Sequence, residues 1–128
     1  MPLRGGAPRP HRGEIWLVSL NPRKGREEKG ARPCLVVSTD ALNESAFGTV
    51  IVCPITTTKR PSFGWRPGLT PADLRVADRD WTPRPHWVVT DQIVPVDAHS
   101  RALRLLASVT NPERLREVDE SLRMLLDL

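Results

Sequence analysis

The stretch Arg-Pro-Cys-Leu-Val-Val-Ser, residues 32–38, has the composition of a β-strand whose central positions are all apolar. A strand with one wet face alternates apolar and polar side chains, whereas a continuous apolar run is typical of a strand covered on both faces. Pro33 cannot donate a hydrogen bond to a neighbouring strand, which predicts that it lies at the strand entrance or at an edge. A charged residue, Arg32, therefore stands at the start of a buried strand.

Two further strands are predicted around this one, because residues 14–20 and 49–55 are rich in β-branched and aromatic side chains. The segment between the second and third strands, residues 39–47, is predicted to be a turn or one short helix capped by Thr39 or Asp40. In an antiparallel pair the start of one strand lies beside the end of the other. Such pairing of the second and third strands would bring Arg32 close to Thr56.

The rest of the chain gives weaker patterns until its last helix. Residues 59–86 contain five prolines and are predicted to be mostly loop, with one strand near 74–76. Residues 87–96 read as two short strands or one bent strand, and residues 103–109 fit a helix or a strand equally well.

The C-terminal helix is the clearest element of the sequence. Asn111 is a suitable N-cap and Pro112 suits the first helical position. Apolar residues then recur at spacings of three and four, which predicts one apolar stripe made of Leu115, Val118, Leu122 and Leu125. Strands followed by a single helix indicate a β-rich α+β class, and short curved strands with one capping helix suggest a small barrel.

One domain accounts for the 128 residues, of which 39% are hydrophobic. Residues 1–12 hold three prolines and three arginines and are predicted to be a disordered basic tail, which leaves residues 13–128 for the folded domain. The sequence shows neither a membrane span nor a secretory signal, so the cytoplasm is the expected location. Cys34 and Cys53 are expected to be buried thiols there.

Arginine supplies 16 of the 19 basic residues, and residues 1–32 carry a net charge of +5 while the remainder carries −1. A guanidinium offers a planar fork of donors that fits phosphate, which favours a polyanionic partner. The alternative interpretation is that the arginine content only reflects a GC-rich genome. Phosphate-binding glycine loops and the Gly-x-Ser-x-Gly motif are absent. The three histidines, His11, His86 and His99, show no metal-ligand spacing, and neither a metal nor another cofactor is expected.

Six short motifs follow one another from residue 12 onward: Arg12-Gly13-Glu14-Ile15-Trp16, Asn21-Pro22, Gly25-Arg26-Glu27-Glu28, Arg32 to Ser38, Pro54-Ile55-Thr56-Thr57 and Asp91-Gln92-Ile93. Together they resemble the MazF/PemK toxins of bacterial toxin–antitoxin pairs. The resemblance implies an SH3-like barrel with a C-terminal helix, a homodimer, and a metal-independent endoribonuclease inhibited by a cognate antitoxin. It also implies indirect contact with operator DNA through that antitoxin.

The resemblance also implies where the site lies. The family's central catalytic pair falls on Arg32 and Thr56, and its acidic loop residue falls on Glu27. Some relatives carry a histidine at the position of Ala31, so a proton-transfer role there is absent in this chain. Contacts to single-stranded RNA are expected from residues of the gate loop, which we define as residues 21–31, and from residues near the end of the third strand: Arg23, Lys24, Arg26, Lys29, Thr57, Lys59, Arg60 and Trp65.

The expected chemistry is attack by the RNA 2′-hydroxyl on its own 3′-phosphate, which leaves a 2′,3′-cyclic phosphate and a 5′-hydroxyl. The enzyme must align the nucleophile and stabilise the developing charge. Arg32 can bind two phosphate oxygens, and Thr56 can add a hydroxyl donor. The alternative function is a non-catalytic binder on the same fold, one that either inhibits gyrase or only binds RNA.

Overall fold

The structure, a computed structural model, describes residues 9–22, 25, 30–59 and 64–128. These residues form eight strands: β1 (Glu14–Ser19), β2 (Ala31–Val36), β3 (Thr49–Thr56), β4 (Gly68–Leu69), β5 (Leu74–Val76), β6 (His86–Val88), β7 (Val94–Asp97) and β8 (Ala102–Val109). They also form three helices, α1 (Asp40–Asn43), α2 (Ala98–Arg101) and α3 (Pro112–Leu126). Two 3-10 turns cover Pro71–Asp73 and Thr90–Gln92.

All strand pairs are antiparallel, in the order β4-β6-β3-β2-β1-β8-β5. The outer edge of β3 is shared, because β7 pairs with residues 49–52 and β6 pairs with residues 55–56. The sheet therefore curls into a nearly closed barrel, with α3 as the C-terminal helix. The predicted class, a β-rich α+β barrel of the SH3-like type with a C-terminal amphipathic helix, is confirmed.

Strand β2 lies in the middle of the sheet and is buried on both faces. Cys34, Leu35 and Val36 are all 0% exposed. Cys34 and Val36 belong to a core cluster with β7 and α2, whereas Leu35 belongs to a second cluster that includes Val118 of α3. The continuous apolar run arises because successive side chains of one strand enter two different cores. The prediction of a strand covered on both faces is confirmed.

The two cysteines lie on opposite faces of the sheet. Cys34 packs in the first cluster and Cys53 in the second, and both are buried free thiols, as predicted. Burial, with the negative charge of Asp91 adding to it, raises the pKa of the Cys53 thiol to about 12. A thiol held protonated in this way is a poor nucleophile.

Helix α3 begins as predicted. Pro112 is its first residue, and the side chain of Asn111 accepts a hydrogen bond from the Glu113 amide at 3.1 Å. Val118 is buried, and Leu115 and Leu122 pack partly against the second cluster. The predicted stripe ends there, because Leu125 is 37% exposed.

Gly13 connects the start of β1 to three other elements. Its amide donates to the Val36 carbonyl at 2.9 Å, and its carbonyl accepts from the Val109 amide at 2.8 Å. Its φ of +88° favours glycine, and a Cβ there would lie 3.2 Å from Leu115 Cδ1. The glycine therefore lets helix α3 approach the backbone of the sheet.

The sequence did not decide the structure of two segments, and the structure shows that both form strands that pair with neighbouring strands. Residues 103–109 lie in strand β8, which pairs with both β1 and β5. Residues 87–96 contain two short strands separated by the turn Thr90–Gln92. Strand β5 was expected, whereas β4 and α2 were not. Thr39 rather than Asp40 caps α1.

Contacts of the fold extend to Arg12, which the sequence analysis assigned to the tail. Its guanidinium donates to the Val37 carbonyl and pairs with Asp119 of α3 at 2.6 Å. The tail boundary itself stays a prediction, since residues 1–8 lie outside the described part. No helix among the described residues has the length and apolar character needed to cross a membrane.

Candidate active site

The register of β2 against β3 determines what stands at one rim of the barrel. The paired residues are Cys34 with Pro54, Leu35 with Cys53, and Val36 with Val52. Continuing that register by two residues sets Arg32 opposite Thr56. The antiparallel pairing is as predicted, and the paired residues end at Cys34 and Pro54, two residues short of Arg32 and Thr56.

Arg32 and Thr56 project from the same side of their strands as the Cys34–Pro54 pair, because side chains repeat on one face every second residue. Arg32 is exposed and Thr56 is half-buried, so the rim opens to solvent directly beside a fully buried core. Buried residues on both strands fix the backbone from which these two side chains emerge.

The hydroxyl of Thr56 has a defined local partner. Its Oγ1 accepts a hydrogen bond from the Thr58 amide at 3.1 Å. That contact uses an oxygen lone pair, and a hydroxyl retains its hydrogen for donation. The Thr56 hydroxyl is therefore oriented at the strand end with a proton to offer an anionic group.

Hydrogen bonds join the two ends of the gate loop beside this rim. The Leu20 amide donates to the Gly30 carbonyl at 2.9 Å, and the Gly30 amide donates to Asn21 Oδ1, also at 2.9 Å. The Arg101 guanidinium donates to the carbonyls of Ser19 and Asn21. The motif residue Asn21 thus closes the loop just before β2 begins.

Several predicted site residues fall outside the described part of the chain. These are the candidate base Glu27 and the candidate RNA contacts Arg23, Lys24, Arg26, Lys29 and Arg60. Thr57 and Lys59 are described; both are exposed and follow Thr56 at the end of β3.

Trp65 is half-buried, and its indole is engaged with Asp91. The indole Nε1 donates to Asp91 Oδ1 at 3.1 Å, and the Trp65 carbonyl accepts from Ser121 of α3. Arg66 binds the same carboxylate through Nε at 2.8 Å and through a second nitrogen at 2.9 Å. The Arg66 hydrogen bonds, with help from Trp65, hold the pKa of Asp91 below its usual range.

The role of the Asp91-Gln92-Ile93 motif follows from these contacts. Asp91 anchors the segment that contains Trp65 and Arg66 to the turn after β6, and the neighbouring Thr90 hydroxyl lies 2.8 Å from that of Ser121. Sequence reasoning missed this network, because its members are far apart in the chain and no spacing pattern joins them.

A buried carboxylate, Asp73, ties β5 to α3. It accepts hydrogen bonds from the Thr70 amide and hydroxyl, from Asn111 and from Arg114, at 2.9 to 3.1 Å. Burial alone would raise its pKa, but these donors outweigh burial and lower the pKa to about 2. The site is structural, and the sequence offered no signal for it beyond the predicted Asn111 cap.

The titratable groups show what chemistry the described residues can support. Within residues 9–22, 25, 30–59 and 64–128, no group of three His, Cys, Asp or Glu side chains is arranged to hold a metal ion. Arg32 supplies positive charge and Thr56 a hydroxyl at one open rim. That combination suits an anionic ligand such as a phosphate.

The fold and rim define a class: a small β-barrel with a C-terminal helix and a cationic and hydroxyl pair where two central strands meet. The family model of PemK-like, MazF-like toxins of type II toxin–antitoxin systems matches residues 11–126. The chain belongs to this family.

Individual relatives agree with that assignment. The chain is 33% identical to endoribonuclease MazF9 of Mycobacterium tuberculosis, over 91% of this chain and 96% of the relative. The crystal structure of MazF (Form-I) from Deinococcus radiodurans superposes with a TM-score of 0.71 at 25% identity, covering 93% of this chain and 97% of the other. The MazE–MazF (Form-II) crystal structure from the same organism gives a TM-score of 0.66 at 30% identity, covering 94% and 97%.

Proposed function

We propose that this chain is an endoribonuclease toxin that cleaves single-stranded RNA sequence-selectively at the rim formed by the start of β2 and the end of β3. The observation that carries the proposal is the register of β2 against β3, which sets Arg32 opposite Thr56 when it is continued by two residues. Both residues lie within residues 11–126, the part of the chain that the family model matches. The relative MazF9, named an endoribonuclease, matches along nearly the whole chain.

The reaction uses a nucleophile that the substrate already contains. The 2′-oxygen forms a bond to phosphorus, the bond from phosphorus to the 5′-oxygen breaks, and the products are a 2′,3′-cyclic phosphate and a 5′-hydroxyl. The 2′-hydroxyl loses its proton to a base, and the leaving oxygen gains one. Because the attacking group belongs to the substrate, alignment and charge stabilisation are the tasks left to the protein, and no metal is required.

Arg32 binds two non-bridging oxygens of the phosphate and stabilises the charge of the five-coordinate transition state. The guanidinium is protonated when the reaction begins, so Arg32 does not act as the base. Proton donation to the leaving 5′-oxygen is compatible with its chemistry. Thr56 donates its hydroxyl hydrogen to the same phosphate, while its oxygen is held by the Thr58 amide.

Glu27 is our candidate for the base that accepts the 2′-hydroxyl proton. It lies in the gate loop, five residues before Arg32 in the sequence. A carboxylate is one of the side chains that accept a proton in general base catalysis. Phosphates on either side of the cut contact Arg23, Lys24, Arg26, Lys29, Lys59 and Arg60. Thr57 contacts the RNA next to Thr56, and a base stacks on Trp65.

The decisive experiment incubates the purified protein with a long single-stranded RNA in EDTA and analyses the fragment ends. Fragments that end in a 2′,3′-cyclic phosphate, with a 5′-hydroxyl on the other product, are expected. Intact RNA would contradict the proposal and favour a non-catalytic binder. A gel-shift assay with the same RNA would then separate an RNA-binding protein from one that acts on gyrase.

The assembly follows from the family and from the surface of α3. A type II system pairs the toxin with an antitoxin, and a cognate antitoxin is proposed to inhibit this chain and to connect it indirectly with operator DNA. A homodimer in the cytoplasm is also proposed. It is supported by exposed apolar side chains at the end of α3, where Met124 is 60% and Leu126 is 51% exposed.

A further inference from the structure

A cavity of about 310 Å³ opens beside the end of β3, next to Thr57. It is lined by Thr57, Asp80, Trp81, Thr82, Arg84 and His86. This volume is at the lower end of the range for small-molecule sites, which is about 300–1,000 Å³. The lining combines two aromatic rings with hydroxyl, carboxylate and guanidinium groups.

The cavity is joined directly to the proposed catalytic strand. Thr56 pairs with Trp87 across β3 and β6, and the same register continued by one residue sets Thr57 opposite His86. Both of these residues line the cavity. When a phosphate lies at Thr56, the base next to it would therefore be close to the cavity.

The aromatic part of the cavity is held in place by the core. Trp81 packs against the second core cluster, and its ring centroid lies 5.8 Å from that of His86 at an interplanar angle of 30°. Trp81 is only half-buried, so part of its indole remains open to solvent. Base stacking on an aromatic side chain needs such a fixed and partly open ring.

The turn that carries Trp81 is attached to β8. The amides of Ala77 and Asp78 both donate to the Leu106 carbonyl, and Asp78 forms an ion pair with Arg104 at 2.6 Å. The Trp81 amide donates to the Asp78 carbonyl at 3.0 Å. The wall of the cavity is therefore preorganised, and a ligand would bind without ordering a loop.

His86 presents a defined hydrogen-bonding edge. Its Nδ1 lies 2.7 Å from the Arg84 carbonyl, and since a carbonyl only accepts, Nδ1 carries the hydrogen. Burial, together with the charge of Arg84, lowers the pKa of His86 and favours the neutral ring. The neutral ring then offers Nε2 as an acceptor. Thr57 and Thr82 can donate or accept, and Asp80 accepts.

We propose that this cavity binds an unpaired nucleobase of the RNA substrate, next to the phosphate that is cut, and thereby contributes to base selection. The base stacks on Trp81 and forms hydrogen bonds with Thr57 and the acceptors of the cavity. The proposal rests on the proposed ribonuclease function for its substrate. Unpaired bases that stack on aromatic side chains and bond through their edges are the usual targets of RNA readers.

The first test compares cut sites in a random-sequence single-stranded RNA pool for the wild type, Trp81→Leu and Thr57→Val. Leucine keeps an apolar contact with the core but removes the aromatic face, and thermal melting verifies the fold of each variant. Both variants are expected to lose base preference at the same single position near the cut. Phe47→Ala is the matched control, because Phe47 is an exposed aromatic just before the other end of β3, and it is expected to keep the wild-type preference. Cutting by Trp81→Leu with wild-type preference at every position would overturn the proposal.

The second test does not depend on cleavage. Single-stranded DNA 8-mers of deoxyadenosine, deoxycytidine or thymidine lack the 2′-hydroxyl, and their binding is followed by the fluorescence anisotropy of a dye attached to the 5′ end of the DNA. We expect Trp81→Leu to weaken the best of these ligands by about tenfold or more, and Phe47→Ala to leave its affinity unchanged. Equal affinity in the wild type and Trp81→Leu would contradict the nucleobase site even if the wild type cuts RNA. Selective binding without any RNA cleavage would instead contradict the ribonuclease and leave the nucleobase site standing.

Discussion

Arg32 stands two residues before three consecutive side chains that are completely buried, and Thr56 is the last residue of the strand beside it. A polar pair at the edge of such a rigid core needs little reorganisation when an anion arrives, because the backbone on both sides is already fixed. Electrostatic stabilisation is strongest where the donors are held in place before the reaction. This is the physical basis for placing the chemistry at this rim.

The hydroxyl of Thr56 gives the first prediction at the residue scale. Thr56→Val keeps the β-branched shape and removes the donor, and we expect it to lower the single-turnover cleavage rate about 10- to 100-fold, the effect of one lost hydrogen bond to a charged group. Thr56→Ser keeps the hydroxyl and is expected to retain most of the activity. Equal rates for the valine variant and the wild type would remove Thr56 from the mechanism.

Gly13 gives a second prediction, on stability. Gly13→Ala forces a side chain into a positive φ and against Leu115, so we expect a loss of about 1–3 kcal/mol in the free energy of unfolding, measured in urea. Gly25 is the matched control, because its φ is +64° while a Cβ there would meet nothing within 4 Å. Gly25→Ala should cost less, and equal losses would show that the approach of α3 to Gly13 is unimportant.

Among the elements, the connection between β5 and α3 depends on Asp73. Its pKa in the folded protein is about 2, below the ordinary value of 3.8. The stabilisation is therefore complete above about pH 4 and is lost as the pH falls toward 2, and it amounts to about 2 kcal/mol. We expect Asp73→Asn to lower the free energy of unfolding by about this amount at pH 7. The free energy of unfolding of this variant should also depend less on pH between about pH 4 and pH 2.

The control for this experiment is Glu120→Gln, which removes an exposed carboxylate of α3 that pairs with exposed Arg116. Exposed ion pairs contribute about 0–1 kcal/mol, so little change is expected. An Asp73→Asn protein with the stability and acid unfolding of the wild type would refute the role of the buried carboxylate.

The elements also show what the sequence could and could not predict. Strand β2 and helix α3 were predictable because their burial leaves a local pattern, continuous in one and periodic in the other. Residues 103–109 were ambiguous because their apolar side chains fit both periods, and only pairing with β1 and β5 selects the strand. Strand β4 is two residues long and leaves no pattern at all.

The positions of Arg32 and Thr56 at the ends of two neighbouring strands were predictable, because each residue stands at the end of an apolar run. The cavity lined by Trp81 and His86 was not, because the β3–β6 register that joins it to Thr57 connects residues about 30 positions apart. Likewise, the partners of Asp91 and Asp73 are determined by the packing of α3 against distant turns.

At the scale of the whole molecule, the exposed apolar end of α3 predicts self-association. One chain has a mass of 14.3 kDa, and light scattering at micromolar concentration should give twice this mass. Met124→Glu combined with Leu126→Glu places charges in this patch and is expected to shift the protein toward monomer with its circular dichroism unchanged. A strict monomer in the wild type would contradict the proposed homodimer.

The central claim is that the rim containing Arg32 cuts RNA. Its most direct test is the single-turnover cleavage rate of one defined single-stranded RNA in EDTA, measured for the wild type, Arg32→Ala and Arg116→Ala. The last variant removes the same charge from an exposed position on α3 and serves as the control. We predict a loss of at least about 10²–10³ in rate for Arg32→Ala, an unchanged thermal unfolding midpoint, and a wild-type rate for Arg116→Ala. Cleavage by Arg32→Ala at the wild-type rate would contradict the account.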